Sequence, residues 1–346
     1  MIRPSVQALA PYVPGEQPKL KRLVKLNANE NAYPPSPKVK EALRGFDASL
    51  LRRYPDPGCN HLRHLLARRH GCKGENVFVG NGSDEVLRLA VDVFTRNAAP
   101  VGVFDPSYSL YPVLAARREA PLCKVPLPRD DAALAALRVP EPRPDLFCLV
   151  NPNAPTGTAF GVEAVRAFAR ALAPSVLLVD EAYAPFAGRD CVRLAFEERN
   201  VVVSRTFSKA WSLAGLRVGV LLGPAALVDA LYKVKDSYNV DWLAQTVAEA
   251  ALSDPDWMLA NVRKIAATRD RFAAGLVRKG WDVTPSCTNF VWCKPPADGP
   301  SAAELQARVR NRGFLLRRFA DSPELADHLR ISIGTDAEMD ELLELL

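Results

Sequence analysis

A chain of 346 residues, 48% hydrophobic and 24% charged, has an ordinary globular composition and the length for one large domain plus a smaller one. The net charge of +6 is modest and the arginines are scattered, which argues against nucleic acid as the main partner and suits anionic small molecules. No apolar run reaches the ~18 residues of a membrane span, residues 1–20 hold prolines and charges where a signal peptide would be apolar, and seven widely spaced cysteines fit the reduced thiols of a cytoplasm.

Residues 1–35 are proline-rich and irregular. Tyr12-Val13-Pro14-Gly15 reads as a turn, residues 23–26 as a short strand, and Asn27-Ala28-Asn29-Glu30-Asn31 as a polar loop. Ser36 caps a helix over 37–43. The turn cluster Arg52-Arg53-Tyr54-Pro55-Asp56-Pro57-Gly58 precedes a basic amphipathic helix over 60–70. A strand at 77–80 then runs through Asn81-Gly82-Ser83-Asp84-Glu85 into a helix. The free N–H groups at such a helix start bind anions, although Ser83 alone more often reads as a simple cap.

From there strands and helices alternate. Val101–Asp105, Leu146–Val150, Val176–Asp180, residues 201–203 and Val218–Leu222 are apolar runs with the character of strands buried on both faces, and helices such as Val162–Leu172 lie between them. This predicts an α/β fold with a mainly parallel sheet, and function at the carboxyl ends of its strands. Four polar groups fall there: Asp105-Pro106-Ser107-Tyr108, Asn151-Pro152-Asn153-Ala154-Pro155-Thr156-Gly157, Asp180-Glu181-Ala182-Tyr183 and Ser208-Lys209. Each alone is ordinary turn or cap chemistry; four at one sheet edge are not.

The stretch after residues 201–203 is the most specific. Ser204, Thr206 and Ser208 bracket Lys209, and Arg217 follows eight residues later. A solvent-exposed loop lysine would fit this window too. The chemistry it suits is a Schiff base with a cofactor aldehyde, with hydroxyls and Arg217 holding a phosphate dianion and Arg217 favouring a neutral, nucleophilic Lys209.

Beyond about residue 245 the pattern changes. Residues 257–279 and 302–313 read as helices, Asn289-Phe290-Val291-Trp292-Cys293, Phe314-Leu315-Leu316 and residues 329–333 as strands, and Thr335-Asp336-Ala337-Glu338 as a capping-box start for the last helix. The expected division is 1–35 as a segment joining the small domain, 36–245 as the large domain, and 246–346 as a smaller α+β domain. The Cys59/Cys72 and Cys287/Cys293 spacings match no zinc pattern, so no metal is expected.

Taken together, Asn-Gly-Ser-Asp-Glu at 81–85, Asn-Pro-Asn-Ala-Pro-Thr-Gly at 151–157, Asp-Glu-Ala-Tyr at 180–183, Ser208-Lys209 and Gly215-Leu216-Arg217-Val218-Gly219 resemble the fold-type I, pyridoxal-phosphate-dependent aminotransferases. Within them, Pro11–Gly15, residues 26–31, Arg53-Tyr54-Pro55-Asp56 and residues 329–335 resemble the histidinol-phosphate aminotransferases. The resemblance covers nearly the whole chain. It implies a large domain with a mainly parallel seven-stranded sheet covered by helices on both faces, plus the smaller α+β domain.

The resemblance also implies roles. Lys209 is the Schiff-base lysine, and Asp180 pairs with the pyridinium nitrogen, keeping the ring an electron sink. Tyr183 donates to the ring's phenolate oxygen and Tyr108 stacks on its face. Gly82, Ser83, Asp84, Thr206, Ser208 and Arg217 hold the phosphate, which Tyr54 reaches from the other subunit of a homodimer. Tyr12 and Asn29 lie near the donor's phosphate, and Arg317 and Arg330 bind substrate anions. The family usually has asparagine directly before Pro-Thr-Gly; here that residue is Ala154. Either Asn153 takes over its contact, as we expect, or Tyr183 carries it alone.

The implied reaction is transamination between L-histidinol phosphate and 2-oxoglutarate in the cytoplasm, without nucleic acid or membrane partners. Alternatives are an aromatic amino acid aminotransferase and a lyase similar to threonine-phosphate decarboxylase. A ligand-sensing domain of a regulator would need a DNA-binding extension, and no G-x-x-x-x-G-K-[ST] run supports nucleotide binding.

Overall fold

The computed structural model describes residues 1–9, 16, 18 and 22–346. Twelve strands occur among them: β1 (Val24–Leu26), β2 (Val77–Asn81), β3 (Val101–Asp105), β4 (Leu122–Pro126), β5 (Leu146–Val150), β6 (Val176–Asp180), β7 (Val201–Thr206), β8 (Val218–Leu222), β9 (Asp282–Thr284), β10 (Phe290–Lys294), β11 (Phe314–Leu316) and β12 (Leu329–Ser332). Seven of them form the central sheet in the order β2-β8-β7-β6-β5-β3-β4. The run from β7 to β4 is parallel, whereas β8 is antiparallel to both β2 and β7.

The pleat sends successive side chains to opposite faces, and each face meets its own helices. On one side Leu177, Val179, Val201 and Val203 pack with Leu62 and Leu66 of helix Asn60–His70 and with Val165 and Phe168 of helix Val162–Leu172. On the other, Leu178, Val202 and Cys148 pack with Val86, Leu87 and Ala90 of helix Gly82–Phe94 and with Tyr111 and Leu114 of helix Leu110–Arg117. Phe168 is fully buried among Phe104 and Phe147, so Phe168→Ala should cost about 3–5 kcal/mol.

A second core gathers the C-terminal elements. β10 pairs antiparallel with β9 and β12. Helix Pro255–Arg278 contributes Ile265 and Phe272 to this core. β1 pairs in parallel with β11, Val24 opposite Phe314, so the N-terminal segment is carried by the C-terminal part of the chain. Through Ala154, Tyr183 and Ala210 this core reaches the ends of the central strands. The capping box at Thr335 forms as expected: the Glu338 carboxylate accepts from the Thr335 N–H at 2.8 Å, and Thr335 Oγ1 from the Glu338 N–H at 3.4 Å.

The sequence reading did not anticipate β4 and β9. β4 is a half-exposed edge strand ending on Pro126, and β9 spans three residues, so neither has the buried-strand pattern. The helix expected over 302–313 is Ala302–Arg310. Gly313 has φ +89, and a Cβ there would meet the Arg22 carbonyl at 2.8 Å. No described helix is long and apolar enough to cross a membrane.

Candidate active site

The carboxyl ends of β3, β5, β6 and β7 and the start of helix Gly82–Phe94 surround a cavity of about 390 Å³. Its far wall comes from the N-terminal loop and from Arg317, Phe319 and Arg330. The two cores meet here, which is where ligand sites of such sheets form.

Lys209 lies at the base. Its Nζ donates to the Ala28 carbonyl at 3.0 Å, and its backbone carbonyl accepts from Asn31 Nδ2 at 3.0 Å. Burial pushes its ammonium from 10.5 down to about 8, and the Arg330 charge adds to this. Arg217, to which the sequence reading gave that role, acts in the same direction but is the weaker influence. A lysine held near 8 has a substantial neutral fraction at neutral pH, as a nucleophile requires.

Asp180, at the end of β6, is buried and faces the cavity. Tyr111 Oη donates to Oδ2 at 2.9 Å, Ser204 Oγ to Oδ1 at 3.1 Å and the Ala182 N–H to Oδ1 at 3.2 Å. Burial raises its pKa while these donors favour the ionised form. A cationic ring nitrogen in the cavity would supply the missing countercharge.

An anion cradle lies alongside. The first turn of helix Gly82–Phe94 offers N–H groups that lack intrahelical partners, together with the positive end of the helix dipole. Thr206 Oγ1 donates to Ser208 Oγ at 3.0 Å, and both residues line the cavity beside Arg217. Arg217 Nη2 pairs with Asp84 Oδ2 at 3.0 Å. Two glycines permit this close fit. Gly82 has φ +79, and a Cβ on it would stand 2.4 Å from Arg217 Nη2. A Cβ on Gly219 would stand 2.5 Å from the Ser83 nitrogen. Lysine, buried carboxylate and anion cradle together fit the aldehyde, ring nitrogen and phosphate of pyridoxal phosphate.

The matching of sequence to a family decides the class. The sequence model of Aminotransferase class I and II matches residues 21–346. The chain belongs to this family. Histidinol-phosphate aminotransferase 1 of Burkholderia pseudomallei is 42% identical over 349 residues, covering 99% of this chain and 96% of that protein. Its counterpart in Bradyrhizobium diazoefficiens is 43% identical over 347 residues, covering 99% and 97%. The crystal structure of histidinol-phosphate aminotransferase from Sinorhizobium meliloti in complex with pyridoxal-5'-phosphate superposes with a TM-score of 0.89 at 32% identity, covering 99% and 95%. The fold-type I architecture expected of an aminotransferase is therefore the one this chain has.

In this aminotransferase the cavity also gathers Ser83, Asp84, Tyr108, Tyr183, Asn29, Arg317 and Arg330. Tyr108 stands edge-on to Tyr111, centroids 6.0 Å apart. Arg317 and Arg330 face each other across an antiparallel bridge, and both guanidinium groups lie over the Phe319 ring, at 5.3 and 5.6 Å. Arg330 Nη2 also donates to the Asn27 carbonyl at 2.9 Å. Arg318 instead donates to the Ala326 carbonyl at 3.5 Å and does not line the main cavity.

Other expected residues lie elsewhere. Asn153 is buried beside the cavity, but its Nδ2 donates to the Pro106 carbonyl at 3.1 Å and to Thr156 Oγ1 at 2.9 Å, while Ala154 lines the wall. Tyr54 is 75% exposed, stacked on Tyr238 at 4.3 Å, away from this chain's own cavity. Tyr12 lies outside the described residues. The Asn29 amide is held by Tyr183 and Ser332.

The sequence reading missed Tyr111, Ser204 and Phe319. Tyr111 sits three residues past Tyr108, in the first turn of helix Leu110–Arg117, an element the sequence reading did not predict. Ser204 is the cross-strand partner of Asp180, which only the strand register reveals. Glu181, next to Asp180, points away from the cavity into an ion pair with Arg205 at 2.7 Å.

Proposed function

We propose that this chain transfers an amino group between L-histidinol phosphate and 2-oxoglutarate, with pyridoxal 5'-phosphate as cofactor and the cytoplasm as its location. The observation that carries this reading is one cavity holding Lys209, with its ammonium pushed down to about 8, opposite two adjacent arginines. The relatives named above support the choice of donor. The free state of all seven cysteines supports the location.

When bound, the cofactor supplies an aldehyde carbon that takes up the amine and a ring that accepts the electron pair released at the substrate carbon. Lys209 Nζ would be the group that links to the aldehyde carbon, and its amine would serve as the base that carries the proton. Asp180, fixed by Tyr111 and Ser204, would hold the proton on the ring nitrogen. The helix start at Ser83 and Asp84, the hydroxyls of Thr206 and Ser208, and Arg217 would hold the phosphate. Tyr108 would lie against the ring and Tyr183 would donate to its phenolate oxygen, both lining the same cavity. Arg317 and Arg330 receive first the donor's phosphate and then the carboxylates of the oxo acid, since a guanidinium fork pairs with either. In a homodimer the partner subunit's Tyr54 completes the phosphate site.

An amino-donor panel tests the reading. L-histidinol phosphate should change the absorbance of the bound cofactor without releasing carbon dioxide, and 2-oxoglutarate should restore it. Turnover with aromatic amino acids alone, or carbon dioxide release from threonine phosphate, would refute it.

A further inference from the structure

Asn29 stands in a backbone conformation that side chains rarely adopt, with φ +55, and is buried. Asparagine tolerates that region better than most residues because of its short polar side chain. Every polar group of Asn29 is engaged. Its N–H donates to Ser332 Oγ at 2.9 Å, and Ser332 Oγ donates back to Asn29 Oδ1 at 2.9 Å. Its carbonyl accepts from Asn289 Nδ2 at 3.0 Å. With Oδ1 turned to Ser332, Nδ2 faces Tyr183 and donates to its hydroxyl oxygen at 2.8 Å. Asn29 thus ties the end of β12, on the second core, to a tyrosine that follows β6 of the central sheet.

We infer that Asn29 is a positioning residue that makes Tyr183 the effective hydrogen-bond donor to the phenolate oxygen of the cofactor. The inference rests on the cofactor reading above. A hydroxyl whose oxygen accepts from an amide becomes a stronger donor, and its hydrogen is directed away from that amide. The neighbouring wall makes the demand specific. Ala154 presents a methyl group there, and the Asn153 amide donates instead to Pro106 and Thr156. The contact to that oxygen therefore falls to Tyr183, and the amide of Asn29 sets its direction and strength. Because Asn29 is anchored by Ser332 and Asn289, the donor is in place only when the second core is seated against the central sheet.

A double-mutant cycle tests this, read as the pH midpoint of the absorbance change of the bound cofactor and as its dissociation constant. Losing a donor to the phenolate oxygen raises the midpoint, because the proton shared with that oxygen is then held more tightly. Asn29→Gly keeps the backbone relaxed and removes the amide; it should raise the midpoint by roughly half a pH unit. Asn29→Asp keeps the shape and the acceptor for Ser332 but accepts the Tyr183 hydrogen, so it should raise the midpoint as far as Tyr183→Phe does. It also carries the test should the glycine variant fold poorly. In the Tyr183→Phe background Asn29→Gly should add nothing, and Asn29→Asp should add only the shift its new charge brings, less than it does in wild type. Shifts as large in that background as in wild type, or an unshifted midpoint in Asn29→Asp, would overturn the inference. A wild-type protein that binds no pyridoxal phosphate would instead overturn the reading on which it rests.

Discussion

Burying a lysine without a carboxylate on it has a thermodynamic consequence. In the cofactor-free protein Lys209 titrates near 8 instead of 10.5, with a backbone carbonyl as its hydrogen-bond acceptor. Below pH 8 both the folded and the unfolded chain are protonated there, and the folded state carries the full burden of the buried charge. The difference of about 2.5 pH units corresponds to roughly 3 kcal/mol of destabilisation. As pH rises from 8 to 10.5 the folded lysine is already neutral while the unfolded one still binds its proton. Each pH unit there removes about 1.4 kcal/mol of the burden, and above 10.5 none remains. Lys209→Met has nearly the same length without the charge. It loses the bond to Ala28, about 1 kcal/mol, so it should stabilise the cofactor-free protein at pH 7 by roughly 2 kcal/mol. Urea unfolding of both proteins at pH 7, 9 and 10.5, without cofactor, measures the difference. The advantage should shrink through the upper half of that range. A variant no more stable than wild type at pH 7, or an advantage independent of pH, would refute the burial argument for the reactive lysine.

Further outcomes follow from the same geometry. Asp180→Asn keeps the shape and the Tyr111 contact but removes the charge opposite the ring nitrogen; steady-state kinetics should show at least about a tenfold loss of rate, equivalent to ~1.4 kcal/mol. Mixing Tyr54→Phe with Lys209→Ala subunits should restore activity in the heterodimer, which carries one site with neither lesion; no recovery despite subunit exchange would remove Tyr54 from a shared site. Arg330→Lys loses the two-pronged contact and should slow both half-reactions in single-turnover spectroscopy, whereas an intact 2-oxoglutarate half-reaction would exclude a shared arginine.

The central strands were legible because each is an apolar run bounded by turn residues, the signature of strands covered on both faces. β4 lacked that signature at its half-exposed edge, and the antiparallel direction of β8 leaves no mark in composition. The cavity wall was legible wherever a polar group ends a strand, as at Asp180 and Lys209, since strand ends share one edge of a parallel sheet. What joins those groups was not. The Asp180–Ser204 contact needs the register of β6 against β7, and the Asn29–Tyr183 bond spans 154 positions. The direction of Asn153 turned on local geometry: a carbonyl at Pro106 and a hydroxyl at Thr156 claim its amide. The influence on Lys209 was assigned to the arginine nearer in sequence, whereas burial and Arg330, 121 residues away in the chain but across the same cavity, dominate.

The most direct measurement is the location of the cofactor's covalent link. Protein incubated with pyridoxal 5'-phosphate and reduced with borohydride should carry one phosphopyridoxyl group, which peptide mass spectrometry places on Lys209, and Lys209→Ala should carry none. An adduct on a different lysine, or an unmodified Lys209 in fully reduced protein, would contradict the account.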